Sequence, residues 1–372
     1  MSIIKSKENI LVLPFLLLGG LSLFKTVYNL WENFLPDFHV FYYSAYDLMH
    51  GIDPYQDKSL YTGLGYPPLT ILLYVPYLIF NYEIAQRIFL LINIVSVFII
   101  TILSLQLVIR KFSWNYFFIF TSLAFISFPV KFTLGMGQSN LFAYFLLIAG
   151  FYFFTKQRII IAGLLIGFTV IMKPIFIFVF LFFLLKSEWR ILAVGTLLML
   201  LFVLVTIILY GSNMYWYYIT SLVPHLFNLS GREVYYNQGI TGFISRLTDA
   251  LLLRRVIPTI VSILVIIFTS YIVFRDKISH KIQFALILTT LLLIDTLSWQ
   301  HHFVFFIFPF IVAFWLINMR KRFNLLPFLL LSYLLVSLNI HEPEQFSHFP
   351  YVFILSHVFY GAVILFVVLY KL

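Results

Sequence analysis

Long apolar segments, separated by short polar ones, follow one another along almost the whole chain. Windows of roughly 17 to 25 apolar residues recur, which is the length that an α-helix needs to cross a bilayer. In lipid a backbone satisfies its own N–H and C=O groups only as a helix or a closed barrel. The pattern therefore predicts an all-α polytopic membrane protein, a single integral-membrane domain over residues 1–372 with no separate soluble domain.

The spacing of these segments predicts about twelve membrane-spanning helices with both chain ends on the cytoplasmic side. We expect them near residues 9–30, 84–110, 115–131, 139–155, 159–172, 174–186, 189–210, 256–274, 282–297, 303–319, 325–339 and 351–370. The first outer loop then covers about 31–83. Within it, the short apolar stretch 67–80 contains three prolines, so we expect an interfacial or re-entrant helix there.

Two of the predicted helices, 159–172 and 174–186, are too short to cross a bilayer alone, and they meet at Lys173-Pro174. Broken backbone at membrane depth is tolerated where it borders a cavity. A lysine at that depth is costly unless it faces water or an anion, and such residues are functional by default. We expect two half-spanning helices that meet at a polar cavity containing Lys173. The alternative is that Lys173 extends to the outer surface.

Composition and charge fit a membrane protein and fix its orientation. Hydrophobic residues make up 62% of the chain and charged residues only 10%, far from the usage of soluble domains. The net charge of +10 does not indicate nucleic acid, because 15 of the 24 basic residues fall in short connections between apolar segments. These are Lys5, Lys7, Arg110, Lys111, Lys156, Arg158, Lys186, Arg190, Arg275, Lys277, Lys281, Arg320, Lys321, Arg322 and Lys371. The positive-inside rule places these connections in the cytoplasm and the more acidic ones outside.

The segment LPDFHVFYYSAYDLMHG, residues 35–51, predicts an amphipathic helix in the outer interface. Its apolar residues recur at helical spacing, and polar residues occupy the other face. Asp37 precedes the first turn, where a carboxylate can cap a helix by accepting backbone hydrogen bonds. The same carboxylate can also face a cavity, and both readings stay open at this point.

Polar residues at the outer ends of later segments are further candidates. In FPVKFTLGMGQSNLF, an outer loop by this reading, Gln138 and Asn140 begin a span, where free N–H groups favour an anion or a hydroxylated ligand. Helix capping by Ser139 or Asn140 is the alternative. In the long outer loop after residue 210, Arg246 suits phosphate, although a single loop arginine is usually solvated.

The stretch LIDTLSWQHHFVFFIFPF puts a group of polar residues at the outer end of another span. They are Asp295, Trp299, Gln300, His301 and His302. Adjacent helical side chains point about 100° apart, so both histidines cannot easily bind one metal. No further ligands follow at suitable spacing, and we expect no metal site. A phosphate contact or a proton transfer by one histidine is favoured over an aromatic-belt cluster. The chain contains no cysteine, which excludes disulfides and thiolate chemistry.

Six segments in register resemble glycosyltransferase family 87, part of the GT-C superfamily of integral-membrane glycosyltransferases. They are DFHVFYYSAYDLMHGIDPY, GYPPLTILLYVPY, GMGQSNLFAYFLL, AGLLIGFTVIMKPIFIF, NQGITGFISRL and SWQHHFVFFIFPF. The resemblance covers roughly residues 9 to 320 and weakens over the last two predicted spans. It implies a GT-C-like bundle of about twelve transmembrane helices with interfacial helices in the first outer loop.

The resemblance also implies a reaction and its residues. A hexosyl group, expected to be mannose, moves with inversion from a polyprenyl-phosphate donor to a hydroxyl of a glycolipid or glycan acceptor at the outer face of the cell membrane. It implies Asp37 as the catalytic base. The expected donor-phosphate ligands are Lys173, Arg246, His301 and His302, and which histidine faces the cavity stays open. The expected substrate-binding residues are Tyr43, Tyr66, Gln138, Asn140, Asn237 and Trp299. Membrane lipids are further expected partners; no cofactor and no nucleic acid is expected.

Two other classes of function compete with a transferase. A transporter or lipid flippase would share the twelve spans, the broken helix and Lys173. It would also show symmetry between the halves of the chain and charges near the midplane of several helices. In this sequence the polar residues gather at the outer ends instead. A lipid-binding scaffold without activity would leave Asp37, Lys173 and Arg246 free to vary.

Overall fold

The computed structural model describes residues 2–55, 65–227, 231–275, 278–346 and 350–372, with side chains from Val12 onward except that of Phe227. Lys277 of the predicted cytoplasmic connections lies outside these residues. In the described ranges the chain is helical, and its β structure is one isolated antiparallel bridge between Asn237 and Trp299. The all-α class is confirmed.

Several helices of the described chain are long and apolar enough to cross a membrane. They are Val12–Leu30, Tyr82–Val108, Trp189–Tyr210, Leu251–Phe274, Gln300–Met319 and Tyr351–Lys371. A seventh candidate is the pair Trp114–Ile126 and Phe128–Met136, which is bent by 62°. The length of these helices, together with their apolar composition, supports a membrane protein with six or seven full crossings.

The other apolar helices are shorter, between 10 and 17 residues. They are Pro68–Ile79, Asn140–Thr155, Ile159–Met172, Pro174–Leu185, His280–Ile294 and Phe323–Ser337. Every predicted span coincides with a helix, but only six or seven helices reach crossing length, so the count of about twelve crossings is not confirmed. The remaining helices are Pro36–Met49, Ile240–Leu247 and the short pieces Asn213–Tyr217, Tyr218–Leu222, Val223–Phe227 and Pro343–Phe346.

Three of the basic turns close the preceding helix in the same way. Gln157, Ser187 and Lys321 have positive φ angles of 59°, 56° and 54°. In each turn the next amide returns to a carbonyl five residues earlier, as from Arg158 to Phe153 over 2.9 Å, which is the Schellman arrangement. The turns are therefore tight, and we call the end of the bundle that carries them the basic end.

The chain turns back at Lys173, between the helices Ile159–Met172 and Pro174–Leu185. Gly163 and Gly167 of the first helix lie against Gly195 of the following helix, Trp189–Tyr210. The ring of Phe180, from the second helix, lies against the same glycine, so the second helix returns alongside the first. A Cβ at Gly167 would lie 2.8 Å from the Cα of Gly195, a close approach that small residues permit between membrane helices. Lys173 is thus at the apex of a helical hairpin, away from the basic end. We call this opposite end of the bundle the site end.

The helix that was predicted to be interfacial or re-entrant is present as Pro68–Ile79, which begins as an α-helix and continues as a 3-10 helix. Its placement relative to the membrane stays a prediction. The Thr70 hydroxyl donates a 2.6 Å hydrogen bond to the carbonyl of Ile171, close to the point where the helix before Lys173 ends. Carbonyls at a helix end have no partner within the helix, so this bond supplies one. The helix therefore supports the broken backbone beside Lys173.

The segment after Ser127, predicted to be an outer loop, contains the helix Phe128–Met136, and its side of the membrane stays a prediction. The chain bends at Ser127 because Pro129 occupies the first turn of the new helix, where proline is tolerated. This helix ends at Gly137, whose φ of 69° is the left-handed conformation that favours glycine. A Cβ at Gly137 would lie 2.8 Å from the Cβ of Leu35 and 2.9 Å from that of Phe38. Gly137 therefore lets the Pro36–Met49 helix pack directly against the residue before Gln138.

We expect Gly137→Ala to lower the free energy of unfolding by about 1–3 kcal/mol, because it combines a strained φ with overlap against Leu35 and Phe38. The matched control is Gly135→Ala in the same helix, where the nearest heavy atom to a new Cβ is 3.9 Å away. Thermal unfolding of the purified chain in detergent measures both. Equal melting temperatures for the two variants would contradict the prediction.

Candidate active site

Asp37 is the second residue of the Pro36–Met49 helix, and it does not cap that helix. The N-cap position belongs to Leu35, without a side-chain hydrogen bond. The capping interpretation was therefore wrong. Instead, Oδ2 of Asp37 accepts a 2.7 Å hydrogen bond from Nε2 of Gln138, while no hydrogen bond to Oδ1 is found within the described residues. Burial raises the pKa of Asp37, and the Gln138 hydrogen bond and the Lys173 charge act in the opposite direction.

Gln138 connects this carboxylate to a lysine. Its Oε1 accepts a 2.8 Å hydrogen bond from Nζ of Lys173 and a longer one of 3.4 Å from the Tyr66 hydroxyl. The side chain of Gln138 is buried, and its partners fix the orientation of the amide. The N–H must face the carboxylate and the carbonyl must face the ammonium. Gln138 thus holds one acidic and one basic group at the two ends of a single amide.

The Lys173 ammonium lies inside the protein. Lys173 is 3% exposed, and Nζ donates to the Tyr66 hydroxyl over 2.5 Å and lies 5.2 Å from the centroid of the same ring. The alternative that Lys173 extends to the surface is therefore wrong. An ammonium has three N–H donors. Tyr66 and Gln138 use two of them, and the third is left for a ligand.

Asp295 is a second acidic group at this site. The sequence placed it at the same span end as the histidines but gave it no role. It follows the helix His280–Ile294, and Lys173 interacts electrostatically with both Asp37 and Asp295. Burial raises the pKa of Asp295 to about 6, against the opposing effect of two backbone hydrogen bonds and of Lys173. Its Oδ2 lies 3.7 Å from Nδ1 of His302. An acid seven positions before a histidine, at the same end of the bundle, is the only sequence signal for this pair.

The two histidines have different surroundings. The backbone carbonyl of His301 accepts hydrogen bonds from Thr133 over 2.8 Å and from Asn140 over 3.0 Å. Its ring lies beside Trp299 at 6.4 Å between centroids, nearly parallel. His302 is the histidine that faces Asp295. Asn140 thus positions the histidine turn through its amide, and substrate binding by Asn140, Trp299 or His301 stays a prediction.

Arg246 and Asn237 belong to a different set of contacts. The Arg246 guanidinium donates to the Ser356 hydroxyl and to the Asn237 carbonyl, each over 2.8 Å, and to the Val234 carbonyl over 3.1 Å. The Asn237 amide donates to the Thr296 carbonyl over 3.1 Å. These bonds attach the loop around 231–239 to the turn after residue 294 and to the last helix. They give Arg246 and Asn237 a structural role, and the implied ligand contacts remain untested.

Tyr43 lies in an aromatic group on the exposed side of its helix, with His39 at 4.5 Å and Tyr82 at 5.9 Å between ring centroids. Within the described residues, Tyr43 forms no hydrogen bond or ring contact with Asp37, Gln138 or Lys173. The predicted residues that the structure joins directly are Asp37, Tyr66, Gln138 and Lys173. His302 joins them through Asp295.

This arrangement can bind an anion next to a base. Among the described residues, one N–H of the buried ammonium and one oxygen of the carboxylate have no hydrogen-bond partner. In the described part of the chain no three His, Asp or Glu side chains converge as metal ligands. The predicted lack of a metal stays a prediction.

Comparisons with known proteins give one match. The sequence model of glycosyltransferase family 87 matches residues 64–296, which include Tyr66, Gln138, Lys173, Arg246 and Asp295. Searches among curated proteins and among solved structures found no match. The family match covers well over half of the 372 residues. The chain therefore belongs to glycosyltransferase family 87.

Proposed function

We propose that this glycosyltransferase moves a sugar, expected to be mannose, from a polyprenyl-phosphate donor to a hydroxyl of a glycolipid or glycan acceptor. The observation that carries the proposal is the hydrogen-bonded series Asp37–Gln138–Lys173. Glycosyl transfer from a phosphate ester needs a base for the acceptor hydroxyl and a cation for the departing phosphate. The series supplies both at neighbouring positions.

The proposed step is a single displacement with inversion. Oδ1 or Oδ2 of Asp37 takes the proton of the acceptor hydroxyl, and the acceptor oxygen forms a bond to the anomeric carbon from the face opposite the phosphate. The bond between that carbon and the phosphate oxygen breaks, and the oxygen keeps the electron pair. The products are the glycosylated acceptor, a polyprenyl monophosphate and a proton on Asp37, so atoms and charge balance.

Lys173 is the group that stabilises the departing phosphate. Its third N–H donor points away from Tyr66 and Gln138, and a charge-assisted hydrogen bond to phosphate is stronger than a neutral one. Asp37 and Asp295 alone would repel an incoming anion. The Lys173 ammonium offsets this repulsion, because it interacts electrostatically with both carboxylates.

An apolar cavity of about 510 Å³ offers a place for the polyprenyl chain. It lies between the helices Trp114–Ile126, Gln300–Met319 and Phe323–Ser337, and its walls are aromatic and aliphatic. Phe303 and Val304, which line it, directly follow His302 in the chain. A hydrocarbon tail in this cavity would keep its phosphate near the histidine turn.

The orientation of the bundle supports an active site on the outer face. The basic turns lie at one end, and Asp37, Gln138, Lys173 and Asp295 at the other, so the positive-inside rule puts the site outside the cytoplasm. A transporter would need charged groups along a path through the bundle. Their concentration at one end, together with the family match, favours a transferase.

We expect Asp37→Asn to lower the transfer rate by about 100-fold or more, the scale of losing a positioned base. The measurement is transfer of radiolabelled mannose from polyprenyl-phosphate mannose in membranes that contain the wild type or the variant. Asp53→Asn is the matched control, because Oδ1 of Asp53 accepts a hydrogen bond from the Tyr55 amide and an asparagine oxygen can replace it. Undiminished turnover in Asp37→Asn at equal protein level would remove Asp37 as the base. A wild type that consumes no polyprenyl-phosphate sugar would favour transport.

Gln138→Leu should move the acidic limb of kcat/KM to higher pH by about one to two units. Asp37 acts as a base only when ionised, and the Gln138 N–H stabilises that ionised form; its loss, worth about 1.5–3 kcal/mol, raises the pKa further. The control is Gln283→Leu, another buried glutamine, which is hydrogen-bonded to the Val273 and Arg275 carbonyls at the basic end. An acidic limb that stays in place in Gln138→Leu would count against Asp37 as the titrating group.

Lys173→Met should raise the KM for the donor by about 10- to 100-fold, because a charge-assisted hydrogen bond contributes about 1.5–3 kcal/mol. Lys156→Met at the basic end, an exposed lysine beside the Tyr152 ring, provides the control. Initial rates at varied donor concentration, on equal amounts of folded protein, give both values. If donor KM is the same in Lys173→Met and in the wild type, Lys173 does not bind the donor.

A further inference from the structure

A second groove at the site end contains a pair of lysines that the proposed reaction does not use. It lies between the helix Val12–Leu30 and the helix Phe128–Met136, and its volume is about 590 Å³. Lys25 and Lys131 line it from opposite sides. Its other residues are Leu18, Leu21, Ser22, Thr26, Asn29, Leu30 and Ile126. The groove thus combines two cations, small polar groups and an apolar floor.

The two lysines share the groove without an acidic side chain among its lining residues. Their ammonium groups repel each other. Within the described ranges neither lysine forms an ion pair or a hydrogen bond to another side chain. Glu32, the first acid after the end of this helix, has its carboxylate 3.9 Å from the guanidinium of Arg87 instead. Two cations that share one groove without an acid are stabilised best by an anion from outside the chain.

We propose that this groove binds the phosphate group of a membrane lipid. Lys25 lies one and a half helical turns before the end of a membrane-spanning helix, at the level where lipid head groups begin. A lysine acts on phosphate as a point charge. The Ser22 and Thr26 hydroxyls already donate to the carbonyls of Phe125 and Ser22, so the polar side chain that this face adds for a lipid is Asn29. Leu18 and Leu21 extend the face toward the hydrocarbon, where the acyl chains of a lipid would lie.

A lysine side chain that reaches toward water at the membrane interface would account for one lysine in this position. It would not account for two lysines in the same groove. Lysines near helix ends commonly reach toward water, each along its own path. Lys25 and Lys131 belong to helices from different parts of the chain and converge on one concave surface. Because like charges repel, an anion between the two lysines would stabilise this arrangement.

The groove is close to the proposed transfer site but separate from it. The helix that carries Lys131 ends at Met136 and leads through Gly137 to Gln138, roughly 10 Å further along at 1.5 Å per residue. A lipid phosphate held by the lysines would therefore lie on the membrane surface beside Asp37. The inference rests on the groove alone and does not depend on the proposed transfer.

The test is lipid binding by the purified full chain in a neutral detergent. The probes are short-chain phosphatidylglycerol, an uncharged short-chain diacylglycerol and inorganic phosphate, and the dissociation constant of each is measured by calorimetry. We expect the wild type to bind phosphatidylglycerol at least tenfold more tightly than either other probe. Binding of inorganic phosphate as tight as that of phosphatidylglycerol would overturn the lipid assignment, because the groove would then be a site for a free anion.

The variants separate charge from fold. Lys25→Gln with Lys131→Gln should weaken phosphatidylglycerol binding by about 10- to 30-fold, since each basic residue near a lipid surface contributes about 1 kcal/mol. Lys25→Arg with Lys131→Arg keeps both charges and should bind within threefold of the wild type. Lys111→Gln with Lys156→Gln makes the same change of net charge at the basic end and should leave binding unchanged.

Two further results, both from the variants, would overturn the proposal. The first is equal phosphatidylglycerol affinity in the wild type and in Lys25→Gln with Lys131→Gln, which would make the lysines ordinary interface residues. The second is an equal loss of affinity in Lys111→Gln with Lys156→Gln, which would show a response to net charge and not to this groove. Retained binding in the arginine variant also shows that the chain tolerates changes at both positions.

Discussion

The buried ammonium of Lys173 is the group on which the site end of this protein depends. A charge in an apolar interior is costly unless it is paired and hydrogen-bonded. Its partners come from two distant parts of the chain, Tyr66 before the re-entrant helix and Gln138 after the bent one. Each is held by a backbone feature of its own. Thr70 fastens the re-entrant helix to the carbonyl of Ile171, and Gly137 lets the Asp37 helix pack against the residue beside Gln138.

Much of the fold follows from local pattern. Every predicted span coincides with a helix, because apolar length and the demand for internal backbone hydrogen bonds are properties of a segment by itself. The break at Lys173-Pro174 could also be read locally, since a proline directly after a lysine inside an apolar run interrupts the helix there. Asp37 and Lys173 could be singled out for a related reason, because a charge in so apolar a sequence stands out.

The rest of the site depends on contacts that no local pattern contains. Gln138 lies 101 residues from Asp37 and 35 from Lys173 along the chain, and only the packed helices show that its amide joins them. Asp295 is one acid among several until the turn that carries it meets His302. Arg246 looked like a phosphate ligand because an arginine fork suits phosphate, yet in the fold its donors serve Ser356 and two backbone carbonyls. The bend at Ser127 was missed because an apolar run does not reveal where a helix changes direction.

The side-chain amide of Gln138 between Asp37 and Lys173 matters because a direct ion pair would make the carboxylate less basic and leave the ammonium fewer donors for a ligand. A carboxylate in contact with an ammonium has a lowered pKa and is a poor base, and the ammonium would have fewer donors left for a phosphate. With Gln138 between them, the charges still attract, but one carboxylate oxygen and one ammonium N–H remain without a protein partner. Burial then raises the pKa of Asp37 further, toward the range in which a base is effective near neutral pH. The uncharged side chain of Gln138 therefore separates an acid from a lysine within one small site. In the proposed reaction the acid acts on the acceptor hydroxyl and the lysine on the departing phosphate.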